Sequence, residues 1–369
     1  MKNTSKRWIV LLAAVCLVVT MTACGQGQQE KSSASPAIEI SKDKESISVA
    51  RPGLDIKIAT IIVASQLGFF EEENLDVSFE QVADLATGLT AVSKEEIDVL
   101  PFGCIPSCSF ISQGTDVVIF GGTIAEGSEC ITLKKNVGKF KKAEDFKGKK
   151  IACFRMETGH MVMKGWLREQ GLDVNKDVEW VYLDSMQSEV EAVAKGEADM
   201  CFVNSGFGFV AKQGGKVDVA FQVGDFVKDF PCCRMTTSRA AASDKASALT
   251  KFMIGCLRGY EVIQNDKEKA IKCLADYSGQ DKTYVENVIY GTRDYKAAMI
   301  IDLDPSTKAV ADFYETMKAN GDIDKDTPYD IHNYMDTVIY ETALDTLIDR
   351  EPDNALWGEL KETFQKKNQ

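Results

Sequence analysis

The order of apolar stretches between residues 55 and 223 constrains the fold more than any other feature of this sequence. Short runs such as KKIACF and ADMCFV alternate with segments of helical periodicity such as TGHMVMKGWLREQG. Strands that alternate with helices favour a mainly parallel sheet covered by helices. We therefore expect an α/β fold, whose first strand is DIKIAT at 55–60 and which has a further strand, IDVLPFG, at 97–103.

The same order of elements occurs twice, which predicts two similar lobes. Glu96–Phe120 matches Glu197–Phe221 in length and pattern, and without a gap Asp98 falls on Asp199. After Phe230 the alternation stops and helical patterns dominate. These later helices are expected at 243–264, 267–276, 281–290, 305–320 and 333–348.

The first residues have the layout of an export signal. Three basic residues (Lys2, Lys6 and Arg7) precede an apolar run from Trp8 to Thr20. That run is well short of the ~20 residues that a membrane-spanning helix needs, so we interpret 1–23 as a signal peptide. The small residues before Cys24 resemble the lipobox of bacterial lipoproteins, which implies that Cys24 carries the lipid.

Residues 24–50 are rich in Gln, Ser, Lys and Glu. Such a composition buries little apolar surface, so this segment, with the lipidated Cys24, is predicted to be a flexible tether. The folded part is then expected outside the cytoplasm, anchored to the cell membrane by the lipid at Cys24. The net charge of −13 argues against nucleic acid as a partner.

Nine cysteines follow Cys24, and several lie inside apolar strand patterns. We expect most of them to be free and buried, because a thiol behaves there as a small apolar group. The C-x3-C pair (Cys104 and Cys108) and the adjacent Cys232 and Cys233 leave a soft-metal site open as an alternative. Zinc sites usually show tighter C-x2-C spacing, so no metal ligand is assigned.

Four segments resemble a known group of proteins. They are GFFEEENLDV (68–77), DLATGLTAVSKEEIDV (84–99), EDFKGKKIA (144–152) and WLREQGLD (166–173). Their order and spacing resemble the solute-binding lipoproteins of bacterial ABC importers, in particular the nitrate/sulfonate/taurine and thiamine-pyrimidine-precursor binding group.

The resemblance implies a two-lobed periplasmic-binding-protein-like fold (type II). Each lobe has a mainly parallel sheet flanked by helices, and a two-strand hinge crosses near 125–135 and 228–238. Lobe 1 would begin at 51–130, lobe 2 would occupy 131–233, and 234–369 would return to lobe 1 and add the C-terminal helices.

The implied function is capture of a small organic or oxyanionic solute, sulfonate/nitrate-like or pyrimidine-like, in a cleft between the lobes. The solute would pass to a membrane permease driven by an ATPase subunit, with the binding protein a monomer without catalysis or cofactor. Two alternatives stay open: an enzyme similar to the pyrimidine-precursor synthases of this fold, and a soft-metal-binding protein.

Ligands of open α/β sheets bind beyond the carboxyl ends of the strands, where helix N-termini favour an oxyanion. His160 stands where the group has a histidine, whereas Met156-Glu157 replace its usual Gly-Ser pair. Glu157 would repel an anion unless it points away or pairs with Arg155. The expected ligand contacts are Thr60, Phe102, Gly103, Cys104, Ser107, Arg155, Thr158, Gly159, His160, Asn204 and Ser205.

Further side chains are candidates at the same cleft. Arg155 and Arg234 could each clamp an oxyanion through two hydrogen bonds. In GCIPSC, Gly103 permits a sharp turn out of a strand and Pro106 suits the first turn of a helix. We therefore expect Cys104 at the helix start near the ligand and Cys108 packed against the sheet.

Overall fold

The computed structural model describes residues 38–155 and 157–368. The predicted signal peptide, Cys24 and the first part of the predicted tether lie outside the described residues. The strands are β1 (Glu45–Arg51), β2 (Leu75–Gln81), β3 (Val117–Glu126), β4 (Ser128–Leu133), β5 (Lys149–Cys153), β6 (Val178–Tyr182), β7 (Met200–Asn204), β8 (Val217–Gln222), β9 (Pro231–Ser238) and β10 (Met299–Ile301).

Helices cover these strands and dominate the last third of the chain. They are α1 (Ala59–Leu67), α2 (Phe69–Glu72), α3 (Leu85–Ser93), α4 (Cys104–Ile111), α5 (Thr158–Glu169), α6 (Met186–Lys195), α7 (Phe207–Ala211), α8 (Arg239–Asp244), α9 (Ala246–Asn265), α10 (Lys267–Ser278), α11 (Lys282–Tyr290), α12 (Thr307–Asn320), α13 (Val338–Arg350) and α14 (Ala355–Lys367). The later helices therefore lie close to their predicted positions, and the sequence analysis missed α8 and α14.

The sheet of lobe 2 has the order β6-β5-β7-β4-β8. Strands β5, β6 and β7 are parallel, whereas β4 runs antiparallel to both of its neighbours, β7 and β8. One antiparallel strand thus enters an otherwise parallel sheet.

Lobe 1 repeats this order. β1 and β2 are parallel, β9 is antiparallel to β3, and single bridges at Val99 and Leu100 connect β1 to β9. The resulting order is β2, β1, the bridge residues, β9 and β3, with β10 added antiparallel at the β3 edge. This shared order confirms the repeat and the two-lobed α/β fold that the sequence predicted.

The chain crosses between the lobes twice. β3 ends at Glu126, and after Gly127 the chain continues directly into β4 of lobe 2. It returns after β8 through Val227–Phe230 into β9 of lobe 1. Each lobe therefore receives its antiparallel strand from the segment that follows a crossing, in the regions expected for the hinge.

Two predictions near the start of lobe 1 are wrong. Residues 45–51 do not belong to a tether, because they form β1, pair with β2 and bury Ile47 and Val49. DIKIAT (55–60) is not a strand: Asp55 caps a helical turn by accepting a hydrogen bond of 2.8 Å from the backbone N–H of Lys57. Alternation of two isoleucines fits a helical turn as well as a strand.

The predicted strand at 97–103 is reduced to its bridges at Val99 and Leu100. Both residues are fully buried, so the apolar character of this segment reflects packing in the core and not a long run of strand pairing.

In the part of the chain that the structure describes, no helix has the length and apolar character to cross a membrane.

Candidate functional site

The N-termini of α1, α4, α5 and α7 follow the carboxyl ends of strand segments, where the sequence predicted a cleft. At α4 the local structure predicted for GCIPSC is confirmed: Gly103 has φ 67° and the helix begins at Cys104, with Pro106 in its first turn. That Cys104 lies near a ligand stays a prediction. Ser107 does not offer its hydroxyl to the cleft, because that hydroxyl lies 2.7 Å from the Thr236 hydroxyl of β9.

Cys104 and Cys108 are both fully buried, and their sulfur atoms are 3.7 Å apart. The hydrogen bond with Cys104, followed by burial, raises the pKa of the Cys108 thiol well above its ordinary value. Neither thiol is exposed in this structure. Burial agrees with the expectation for Cys108, whereas Cys104 was expected to be accessible to solute.

The second cysteine pair lies on a β-bulge in the hinge strand. In the β3–β9 ladder Ile124 faces Cys233 and Ala125 faces Pro231, so Cys232 is an extra residue on β9. An extra residue interrupts the usual alternation of side chains. As a result the sulfur atoms of Cys232 and Cys233 lie 3.9 Å apart.

Lys57 and the start of α4 surround this pair. The hydrogen bond from Cys232, with further help from Lys57 and the backbone N–H of Gly103, outweighs burial and lowers the pKa of Cys233 to about 7. Burial alone would lower the pKa of Lys57, but Asp55 and the two thiols raise it above its ordinary value. Lys57 and the Cys232–Cys233 pair therefore lie close enough at the hinge for each to shift the pKa of the other.

In lobe 2, Glu157 closes the N-terminus of α5. Its carboxylate accepts hydrogen bonds from the backbone N–H groups of Gly159 at 2.8 Å and His160 at 2.9 Å. The Ser128 hydroxyl, at the start of β4, donates to the same carboxylate. Burial opposes ionisation, but these bonds and the contact with His160 lower the pKa of Glu157 below its ordinary value. Glu157 is therefore buried at the start of α5, and among the described residues it does not pair with Arg155.

His160 is fully buried, and neither ring nitrogen has a hydrogen-bond partner among the described residues. Its Nδ1 lies 3.5 Å from a Glu157 oxygen, and its ring packs edge-on against Tyr182. Arg155 is exposed and its guanidinium stands 4.3 Å from the centre of the Tyr182 ring. His160 and Arg155 thus both contact the Tyr182 ring, but His160 is buried whereas Arg155 is exposed.

Glu129 closes the N-terminus of α7 in a similar way. It accepts hydrogen bonds from the backbone N–H groups of Gly206 at 3.0 Å and Gly208 at 2.8 Å, and from the Tyr295 hydroxyl. Burial raises the pKa of Glu129 to about 7 despite these bonds. A carboxylate of β4 therefore links the α7 loop to the segment after α11.

Two further predicted contacts carry buried polar atoms without a partner among the described residues. They are the hydroxyl oxygens of Thr60, in the first turn of α1, and Ser205, directly after β7. A buried hydroxyl without a hydrogen bond costs free energy, so these atoms and the His160 nitrogens are groups that a bound molecule or water would satisfy.

The remaining candidates have more ordinary surroundings. Phe102 and Thr158 are buried, Asn204 is partly exposed, and Gly159 lies against Ser128 with no room for a β-carbon. Arg234 is fully buried on β9 and donates to the carbonyl oxygens of Ile124 and Cys233, while its Nε and Nη2 have no hydrogen-bond partner among the described residues.

Sequence reasoning missed Lys57, Glu129 and Tyr295. Lys57 lies inside the segment interpreted as a strand, although the Asp-x-Lys start of a helical turn is a usable local signal. Glu129 and Tyr295 meet only through the fold, since they lie in β4 and in the segment after α11. No local pattern links residues so far apart in the chain.

Nothing among the described residues favours the soft-metal alternative. Over 38–155 and 157–368, no three His, Cys, Asp or Glu side chains are grouped in a way that could hold a metal ion. Within the two cysteine pairs the sulfur atoms lie 3.7 Å apart for Cys104 and Cys108 and 3.9 Å apart for Cys232 and Cys233.

Residues 55–270 match the family model described as NMT1/THI5 like, which is more than half of the chain. The chain belongs to the NMT1/THI5-like family. A protein of Haemophilus influenzae named for thiamine biosynthesis is 32% identical over 124 residues. The match covers 33% of this chain and 38% of that relative, so the chain spans well under half of its length.

Solved structures with the same fold include binding proteins and an enzyme. The periplasmic aliphatic sulphonate binding protein SsuA from Escherichia coli has a TM-score of 0.63 at 18% identity, over 80% of this chain and 92% of its own. The nitrate-binding protein NrtA from Synechocystis PCC 6803 has 0.64 at 15%, over 85% and 90%. The desulfurization enzyme DszB has 0.58 at 12%, over 82% and 99%. At these identities the likeness concerns the fold.

Proposed function

We propose that this NMT1/THI5-like protein is the extracytoplasmic solute-binding component of an ABC importer. The observation that carries the proposal is the placement of unpaired buried polar atoms at strand and helix ends of both lobes. Thr60 belongs to lobe 1, whereas His160 and Ser205 belong to lobe 2. A solute that satisfies groups of both lobes stabilises the closed arrangement over an open one.

The named functions of two structural neighbours support this class of protein. SsuA is named for sulphonate binding and NrtA for nitrate binding, and both share the two-lobed fold. Delivery to a permease with an ATPase subunit, and a lipid anchor at Cys24, belong to the same proposal. The residues that we assign to solute are Thr60, Cys104, Thr158, His160, Asn204 and Ser205, with the Cys232–Cys233 pair beside them.

The alternative is an enzyme, and DszB is a specific reason to keep it, because an enzyme also has this fold. Its chemistry would need a general base within reach of a substrate. His160 is the candidate, since both of its ring nitrogens are without a partner among the described residues. Binding without turnover separates the two functions.

The test is a thermal-shift screen of the purified protein against small sulfonates, nitrate, pyrimidines and amines. A solute at ~100 times its dissociation constant adds about 2.7 kcal/mol to the free energy of unfolding. His160→Gln should reduce that gain, whereas His332→Gln, a change at an exposed histidine, should not. A product that accumulates in mass spectra of the stabilising mixture would favour the enzyme, and a complete absence of stabilisation would count against solute binding.

A further inference from the structure

Two of the helix N-termini in this region are occupied by carboxyl groups of the protein itself. Glu157 accepts from two backbone N–H groups at the start of α5, and Glu129 accepts from two at the start of α7. Neither α1 nor α4 has a side chain that caps its first turn. The backbone donors with which such a fold could hold an oxyanion are therefore used internally at the two helix ends of lobe 2.

The arrangement at α5 is the most complete. Glu157 has no exposed surface and accepts from two backbone N–H groups and from the Ser128 hydroxyl. A sulfonate or nitrate at this helix end would have to displace a buried carboxylate or sit beside it. Either arrangement is unfavourable, because two like charges repel strongly in a poorly solvated site.

The nearby cations do not pair with this carboxylate. Lys57 lies 3.6 Å from the Asp55 carboxylate. Arg155 is exposed and stacked on Tyr182. Arg234 is buried on β9 and donates to two carbonyl oxygens, while its Nε and Nη2 have no hydrogen-bond partner among the described residues. None of these three cations therefore neutralises the charge at the start of α5.

The unpaired buried atoms have a different preference. His160 offers one N–H and one acceptor nitrogen in its neutral form, and the hydroxyl groups of Thr60 and Ser205 can accept or donate. Together with the carboxylate of Glu157, this set favours a partner that brings N–H or O–H donors. The Glu157 carboxylate adds a negative charge to this set.

We infer that Glu157 excludes sulfonate- and nitrate-type anions from the start of α5, and that the part of the solute that lies there is uncharged or cationic and carries N–H or O–H donors. This inference rests on the proposed function and narrows its solute class. It departs from the oxyanionic half of the expectation that the sequence raised. The start of α5, where an anion could otherwise accept the backbone hydrogen bonds, is occupied by the Glu157 side chain.

The experiment compares anion affinity between the wild type and Glu157→Gly. Glycine is well tolerated at an N-cap, and it leaves the N–H groups of Gly159 and His160 without an acceptor. Titration with ethanesulfonate and nitrate, followed by calorimetry, should show at least about tenfold tighter binding to the variant, which corresponds to about 1.4 kcal/mol. Glu157→Ser, which keeps a small capping acceptor, should give a smaller gain and serves if the glycine variant does not fold.

Asp266→Gly is the matched control, because Asp266 caps α10 through the backbone N–H of Lys269 on an exposed surface. It should gain no comparable anion binding. The inference is overturned if the wild type binds ethanesulfonate or nitrate as tightly as Glu157→Gly does. In the same wild-type protein, 4-aminopyrimidine, ethylammonium and acetamide test the donor-bearing class: stabilisation by one of them supports the inference, and stabilisation by the anions alone overturns it.

Failure of the proposed function would look different. If the wild type binds no donor-bearing solute at all while Glu157→Gly gains the anions, the exclusion of anions by Glu157 stands and solute transport is in question. If the wild type binds anions tightly, transport stands and the inferred solute class fails.

Discussion

Gly259 of α9 lies so close to the carbonyl oxygen of Thr60 that a β-carbon at position 259 would collide with it. The backbone N–H of Ala64, one turn further along α1, is also near this point, at 3.2 Å. The approach of α9 thus fixes the position of α1, whose first turn carries the unpaired Thr60 hydroxyl. A helix far along the chain positions one of the candidate solute contacts.

Gly259→Ala should therefore destabilise the protein by about 2 kcal/mol or more, since overpacking against backbone atoms forces the two helices apart. Gly358→Ala is the matched control, because Gly358 lies within α14 and an added methyl group there would meet nothing within 4 Å. That change should be neutral or stabilise by about 0.5–1 kcal/mol. Urea unfolding of both variants measures the difference, and equal effects would contradict the close approach.

Cys233 should ionise with a midpoint near pH 7, since its pKa is lowered to about 7. Because the thiol is buried, the measurement is the ultraviolet absorbance of its thiolate as a function of pH, compared between the wild type and Cys233→Ser. Lys57→Met should move the midpoint to higher pH, because Lys57 favours the thiolate. Cys256→Ser is the control and should leave the absorbance near pH 7 unchanged, since burial raises the pKa of Cys256 well above its ordinary value. An absorbance change near pH 7 that persists in Cys233→Ser would contradict the lowered pKa.

Glu189 should make the protein less stable as pH rises. It is fully buried on α6 with neither carboxylate oxygen paired among the described residues, and burial, with the nearby charge of Glu157, raises its pKa from 4.5 to about 9. The folded state therefore holds a proton that the unfolded state releases, so the stabilising contribution is complete below about pH 4.5 and is lost as pH rises through about 9.

Glu189→Gln should flatten this part of the pH dependence, because the amide cannot lose a proton. Glu191→Gln changes an exposed carboxylate of the same helix and should leave the slope as it is. Denaturant unfolding at several values between about pH 5 and about pH 9 measures both slopes. A wild type whose stability rises with pH across this range, with no change in Glu189→Gln, would count against a protonated Glu189.

Cys24 should carry a diacylglycerol group in the membrane-bound protein. Mass spectrometry of the N-terminal peptide tests this directly, and Cys24→Ala should release the protein or leave the signal peptide uncleaved. Cys16→Ala, within the predicted signal peptide, is the control and should not change the modification. A mature N-terminus at another residue would remove the basis for the anchor.

Binding of a stabilising solute should reduce the radius of gyration in small-angle scattering, because two lobes joined by two crossings close by rotation. The solute used is the one that raises the unfolding temperature most in the thermal-shift screen. His160→Gln at the same solute concentration should respond less. An unchanged radius at saturation would indicate a rigid binder.

Most strands from β2 to β8 could be predicted, because β2, β3, β5, β6, β7 and β8 each have their own apolar run. β4 could not, since it follows β3 after the single residue Gly127 and no turn-rich segment separates the two. The other errors also have physical causes. The β1 sequence follows a polar segment that hides its alternation, and Ile56 and Ile58 are buried by a helical turn instead of a strand.

At the site, His160 is expected from the resemblance and Ser205 from its position after a strand, and their contact with solute stays a prediction. The capping role of Glu157 could not be predicted, because only the fold brings Ser128 to its carboxylate.

The two crossings also determine the order in which the two sheets can form while the chain is synthesised from its N-terminus. All five strands of lobe 2 lie within one continuous segment from β4 to β8, so that sheet can be completed as soon as β8 is free. Lobe 1 must wait for β9, and its closing contact spans the whole of lobe 2, which makes it the slow, long-range step. A nascent chain that is arrested before Pro231 therefore leaves both sides of β3 without a partner, because β10 also follows later in the chain, and it exposes unpaired strand edges to chaperones.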